Sequence, residues 1–153
     1  ISHAESTGMT REEMEALAPD TASMEDNCAA EVKAELKDFA SEYIQHYVNF
    51  SADAGAMSNI HYYRLRDLVV PNGDLINRLY GAFGSFGYAF VRSVSVLSVE
   101  EDFCTEVSDG HYLAGYTYRT ESVGRRTAIE EKNIQLSILR QNGKLYAESM
   151  CFY

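Results

Sequence analysis

The chain has 153 residues, 46% of them hydrophobic and 24% charged, with a formal net charge of -10. A chain of this length reads as one domain that buries roughly 70% of its unfolded surface, so a core needs no metal or disulfide staple. The acidic balance argues against nucleic acid, whose phosphates require a Lys/Arg surface, and against docking on anionic lipid. No stretch approaches the eighteen or so uninterrupted apolar residues of a membrane span.

In chain order, the first residues, ISHAESTGMTREEMEALAPDTASMED, are polar, acidic and rich in small side chains. That composition fits a tether between an anchor and a folded module. The sequence opens on Ile1 rather than Met, which raises the expectation that a leading segment has been cut away. Within this stretch Thr10-Arg11-Glu12-Glu13 fits a capping box that could start a short helix, stopped near Pro19. Residues 1–26 are therefore read as an acidic tether or short helix, and 27–153 as a single domain.

The first long helix begins after Asp26-Asn27. Val32, Leu36, Phe39, Ala40, Tyr43, Ile44, Tyr47 and Val48 form a stripe at three- and four-residue spacing, while Glu31, Lys33, Glu35, Lys37, Asp38 and Glu42 fill the other side. A loop at Ser51-Ala52-Asp53-Ala54-Gly55 ends it. A second helical stretch follows Ser58-Asn59 and stops at Pro71, and Asp74 is placed to cap a third carrying Leu75, Ile76 and Leu79. From Tyr88 onward the pattern is β. Asp109-Gly110 is a two-residue hairpin signal that would set Phe103 against Tyr116 and Thr105 against Ala114. Gly124-Arg125-Arg126 works as a three-residue loop setting Tyr116 against Ile134, Ala114 against Leu136 and Tyr112 against Ile138. Asn142-Gly143 closes the last hairpin, with Leu136 opposite Ser149 and Ile134 opposite Cys151. One register thus keeps an apolar face across the sheet. Helices followed by strands read as α+β, the helices packed on the concave face of a curved antiparallel sheet.

This order of three helices and four long strands ending in Asn142-Gly143-Lys144-Leu145-Tyr146 resembles the nuclear transport factor 2-like superfamily, whose cone-shaped fold also occurs in ketosteroid isomerase and scytalone dehydratase. More narrowly, the segment from Asn59-Ile60-His61-Tyr62-Tyr63 through Pro71-Asn72-Gly73-Asp74 is similar to extracytoplasmic modules of bacterial membrane-anchored proteins. The resemblance implies a pocket between helices and sheet. Here Tyr43, Tyr47, Phe103, Tyr116, Tyr118 and Ile134 would line it. Isomerase chemistry needs a carboxylate base and a donor for the developing oxyanion. Glu101, on the inner parity opposite Tyr118, is the best base, with Tyr116 or Tyr118 as donor, whereas Asp102 and Glu106 fall on the outer face. The plainer reading is that these aromatic rings fill the core.

A dehydratase-like site would want a His such as His46, at the edge of the first stripe, or His61 near a carboxylate, but lone histidines on helices read as solvated or capped. His111 in the Asp109-Gly110 turn reads as exposed. Gly81, Gly84 and Gly87 do not make a phosphate loop. Cys28, Cys104 and Cys151 have no metal-ligand spacing, so neither a metal nor another cofactor is expected. The expected register puts Cys151 under the helices and Cys104 on the other face, leaving Cys28–Cys151 or no bridge. The reading that follows is a non-enzymatic extracytoplasmic module, tethered to a membrane, binding a partner protein or small envelope ligand. The alternatives are a small lyase or isomerase, and a homodimer formed through the convex face.

Overall fold

In the computed structural model the described residues are 28–52, 60–82, 93–123 and 126–153. They form three helices, α1 (Ala30–Ala52), α2 (Ile60–Leu68) and α3 (Asp74–Ala82), then four strands, β1 (Ser93–Ser108), β2 (His111–Val123), β3 (Thr127–Gln141) and β4 (Lys144–Phe152). The strands pair antiparallel in the order β1-β2-β3-β4. The expected capping box at Thr10–Glu13, the loop at Asp53–Gly55 and the glycines at 84 and 87 lie outside the described residues.

The helical stripe read from the sequence is the one that packs. Leu36, Ala40, Tyr43 and Ile44 of α1 are fully buried, joined by Leu65 of α2 and by Leu75 and Leu79 of α3. They lie on the inner sheet face, whose core members are Cys104, Tyr112, Ala114, Tyr116, Tyr118, Ile134, Leu136, Ile138, Ala147 and Met150. Two further contacts fix α1: Arg140 of β3 donates to both carboxylate oxygens of Glu35, and Lys33 Nζ lies 3.8 Å from Glu101 Oε2. The bidentate bond to Arg140 holds the Glu35 carboxyl below its ordinary range. Beyond α2 the chain tacks onto the β4 edge, where Val70 N donates to Ala147 O at 3.0 Å. Asp74 begins α3, and its carboxylate is held by Arg78 one turn on, at 2.6 Å, an ion pair in place of the expected cap.

The middle hairpin has the expected register, with Tyr116 opposite Ile134, Ala114 opposite Leu136 and Tyr112 opposite Ile138. The other two depart from it for the same reason, a β-bulge. At Asp109-Gly110 only Gly110 has a positive φ, so the turn is not the fully left-handed one that keeps a plain two-residue register. Irregularities at Val107 and Asp102 follow, and Phe103 opposes Gly115 while Cys104 opposes Ala114. An extra residue reverses every face that follows it. Phe103 is therefore on the outer face, a correction to its expected place in an inner pocket, and Cys104 is on the inner one. At Asn142-Gly143 both residues have positive φ, as the tight turn requires, and pairing begins as expected with Gln141 opposite Lys144. A shift between Ser137 and Ile138 then sets Leu136 against Met150, Ile134 against Phe152 and Gln135 against Cys151.

The cysteine pairing is corrected by the same slip. Cys28 is bonded to Cys104 across 76 residues of sequence, with Cα atoms 5.8 Å apart, and the buried Cys151 lies outside the bridge. The start of α1 does lie over the inner face, as expected; the residue beneath it is Cys104.

Candidate functional site

Four phenols sit between α1 and the inner sheet face. Tyr43 and Tyr116 are fully buried, Tyr118 nearly so, and Tyr47 is half-buried near the end of α1. The Tyr43 and Tyr47 rings stack at 6.1 Å, and the Tyr43 hydroxyl donates to Met150 Sδ at 2.9 Å. Burial is the main cause that raises the Tyr43, Tyr116 and Tyr118 hydroxyls above their ordinary range, with the Glu101 charge adding to Tyr116 and the Tyr47 hydroxyl to Tyr118. The Tyr116 hydroxyl is buried with no hydrogen-bond partner.

Glu101 lies on the inner face as expected, although opposite Tyr116 rather than Tyr118. Its carboxylate is about one-fifth exposed and engaged with Lys33. A carboxylate beside a phenol is the raw material of isomerase chemistry. Here, however, the candidate donor Tyr116 is wholly enclosed by side chains, as is Ile134 next to it. The remaining predicted lining residues divide by depth. Tyr43, Tyr116 and Ile134 belong to the packed interior, and Tyr118 is nearly as deep.

At the end of the sheet beyond α1 the inner face opens. Residues 127–132 of β3 are exposed on successive positions. Phe152, opposite Ile134, is 44% exposed and lies 6.2 Å from Tyr47 at a 46° tilt. Lys132, opposite Tyr118, holds its ammonium 5.6 Å from the Phe152 ring centre. An aromatic ledge with one cation therefore marks the rim of the cone. Tyr47 was read from the stripe as a pocket-lining residue, and it stands at the rim. Phe152 and Lys132 were not, because the bulge in β4 decides which side Phe152 faces.

The outer face carries a second polar constellation that sequence reasoning missed. His111 is only 7% exposed, a correction to its expected exposure. Its Nε2 is 2.7 Å from Ser137 Oγ, and Ser137 donates to Glu148 Oε2 at 3.1 Å. The same residue types make nucleophilic triads, but the roles differ. Ser137 gives its proton to the carboxylate and accepts from the imidazole, and Glu148 lies on the same ring nitrogen at 3.6 Å. In a triad the acid holds the opposite nitrogen and the His takes the Ser proton. This is a buried structural network. Beside it Gln135 is fully buried and its amide lacks a partner. Gln135 and Ser137 alternate with Ile134, Leu136 and Ile138, so they read as a solvated face. Toward β1, Thr117 Oγ1 donates to Asp102 at 2.7 Å, and the Tyr153 hydroxyl reaches the same carboxylate oxygen. Tyr153 thus crosses the outer face over Gly115, where an added Cβ would stand 2.2 Å from the Phe103 ring.

Among the described residues no cluster of three or more His, Cys, Asp or Glu side chains is arranged to hold a metal. No described helix is long and apolar enough to cross a membrane.

No protein-family model matches the chain, and no curated protein sequence does so. Solved structures match its fold. The intermembrane-space region of the chloroplast protein ARC6 superposes with a TM-score of 0.59 at 9% identity, covering 78% of this chain and 94% of that one. The NTF2-like potential transfer protein TraM of the Gram-positive conjugative plasmid pIP501 superposes with a TM-score of 0.53 at 13% identity, covering 79% and 94%. At these identities the likeness is one of fold, and the chain has the α+β nuclear transport factor 2-like cone.

Proposed function

We propose that the chain is an extracytoplasmic, non-enzymatic interaction module that binds a partner protein at the open rim of its cone. The observation that carries this reading is the contrast between depth and rim. The deep residues an isomerase would use are filled with packed phenols, and the half-exposed Tyr47, Phe152 and Lys132 stand together where a partner has access. Aromatic side chains such as Tyr47 and Phe152 are enriched among the anchors of protein recognition, and Lys132 adds a charge at their edge. The Cys28–Cys104 bridge supports an oxidising compartment, because structural disulfides do not persist in a reducing cytosol. The two solved neighbours, one from an intermembrane space and one a potential transfer protein, are compatible with that placement.

A photo-crosslinking residue placed at position 152 in the native host tests the proposal. A discrete protein adduct is expected there, lost when Lys132→Glu reverses the rim charge, and absent from position 66 on α2. Equal labelling from both positions overturns the rim assignment. The rival lyase or isomerase reading, and an enzymatic pocket built on Glu101, would be favoured by any turnover that Glu101→Gln abolishes.

A further inference from the structure

We propose that His46 and His61 form a two-histidine site for a borderline divalent metal ion, Zn²⁺ or Co²⁺, that ties α1 to α2. His46 lies in the second half of α1 and His61 in the first turn of α2, and the two Nδ1 atoms are 3.1 Å apart across the helix interface. Their ring centres are 5.4 Å apart with the planes tilted by 40°. Two imidazole nitrogens bound to one tetrahedral ion at about 2.0–2.1 Å stand roughly 3.3–3.4 Å from each other. The observed spacing differs from that by a few tenths of an ångström. The two nitrogens now share one hydrogen-bond proton. When the donating ring moves its proton to Nε2, tilting the rings makes both Nδ1 lone pairs converge on one ion while the ring centres stay nearly the same distance apart.

Both rings are half-buried, so the site is sheltered on one side and open to water on the other. Glu42 sits one turn before His46 on α1, is exposed, and its charge is felt by the His46 ring. We assign it as the third donor that the bound ion draws in, with water completing the shell. Arg64 on α2 is the opposing charge near His46 and limits the affinity. Imidazole donors select zinc-like ions over Mg²⁺ and Ca²⁺, which prefer oxygen. No three donors are already converged among the described residues, so the ion gathers Glu42 or water on binding.

The test uses the untagged, disulfide-intact chain in a His3→Ala background, which removes a competing histidine of the amino-terminal stretch. Co²⁺ titration is expected to give saturable visible absorption of a nitrogen-ligated ion, displaced by Zn²⁺ and indifferent to Mg²⁺. Because an ion that binds only the folded chain raises its melting temperature, saturating Zn²⁺ should raise Tm by roughly 5–10 °C. His46→Ala and His61→Ala should each abolish both signals, and Glu42→Gln should weaken binding several-fold. Both substitutions are at half-exposed positions, and circular dichroism of the metal-free variants checks that they fold. Absence of a saturable cobalt spectrum, or a spectrum and Tm shift that survive His46→Ala, overturns the proposal.

Discussion

Removing the Cys28–Cys104 bridge is the most informative perturbation of this fold. The bond closes a loop spanning 76 positions and fastens the beginning of α1 to the last third of the edge strand β1. In the chain-entropy account, closing a loop of that length withholds about 15 cal/mol/K from the unfolded chain, or about 4–5 kcal/mol at 25 °C. Native disulfides of this kind are worth about 2–5 kcal/mol when removed. In a domain of this size each kcal/mol corresponds to roughly 2–4 °C in Tm. The double variant Cys28→Ser/Cys104→Ser, which leaves Cys151 in place, should therefore melt roughly 10–15 °C below the oxidised chain by scanning calorimetry. Thiol titration under denaturing, non-reducing conditions should find Cys151 alone reactive, and all three cysteines after reduction. A Tm loss smaller than about 2 °C would refute the loop argument. A Cys28–Cys151 linked peptide would refute the strand register itself.

Four further outcomes follow from particular contacts. Gly115→Ala places a methyl against the Phe103 ring and the Tyr153 hydroxyl and should cost about 1–3 kcal/mol in urea unfolding, recovered only in part by adding Phe103→Leu. Tyr116→Phe removes a buried hydroxyl that has no partner, so the variant should be as stable as the parent or about 1 kcal/mol more so; a loss above that would mean the hydroxyl is bonded. Burial lowers the His111 pKa from 6.5, with Glu148 opposing. The unfolded chain therefore binds the proton first, and this contribution to stability is complete above pH 6.5 and is lost as pH falls below it. His111→Gln should flatten that part of the pH–stability curve, and an unchanged slope would count against the assignment. Arg140→Ala breaks the fork to Glu35, but both partners are partly exposed, so only about 0.5–1 kcal/mol should be lost.

The sequence disclosed the α+β class, the three helices, the core stripe of α1 and the register of the middle hairpin, because each rests on local periodicity or a loop of fixed length. The left-handed pair Asn142-Gly143 was equally legible, since few residues adopt that geometry. The bulges at Asp102, Val107 and the Ser137–Ile138 step were not. No residue type marks them, because an extra residue in one strand is fixed by tertiary pairing and not by local sequence. Their effect is disproportionate because one added residue exchanges the faces of all that follow. Phe103 and Cys104 traded places, Cys151 moved to the outer face beside Gln135, and the expected disulfide partner changed with them. At the candidate site, Tyr47 and Tyr118 could be placed from the stripe and the middle hairpin, whereas Phe152 depended on a bulge. His111 was misplaced for a different reason: proximity to a turn says nothing about a Ser137 and Glu148 waiting on the neighbouring strands.

The bridge also determines how the molecule would bear load. Tension entering from the residues before Cys28 passes through the sulfur bond directly into the last third of β1, bypassing everything between them. The enclosed chain, roughly 250–270 Å when fully extended, stays slack while the bond holds. A pull between Cys28 and Tyr153 would thus test the sheet and leave α1 unstretched. Reduction would release the enclosed segment as added length in a single-molecule trace.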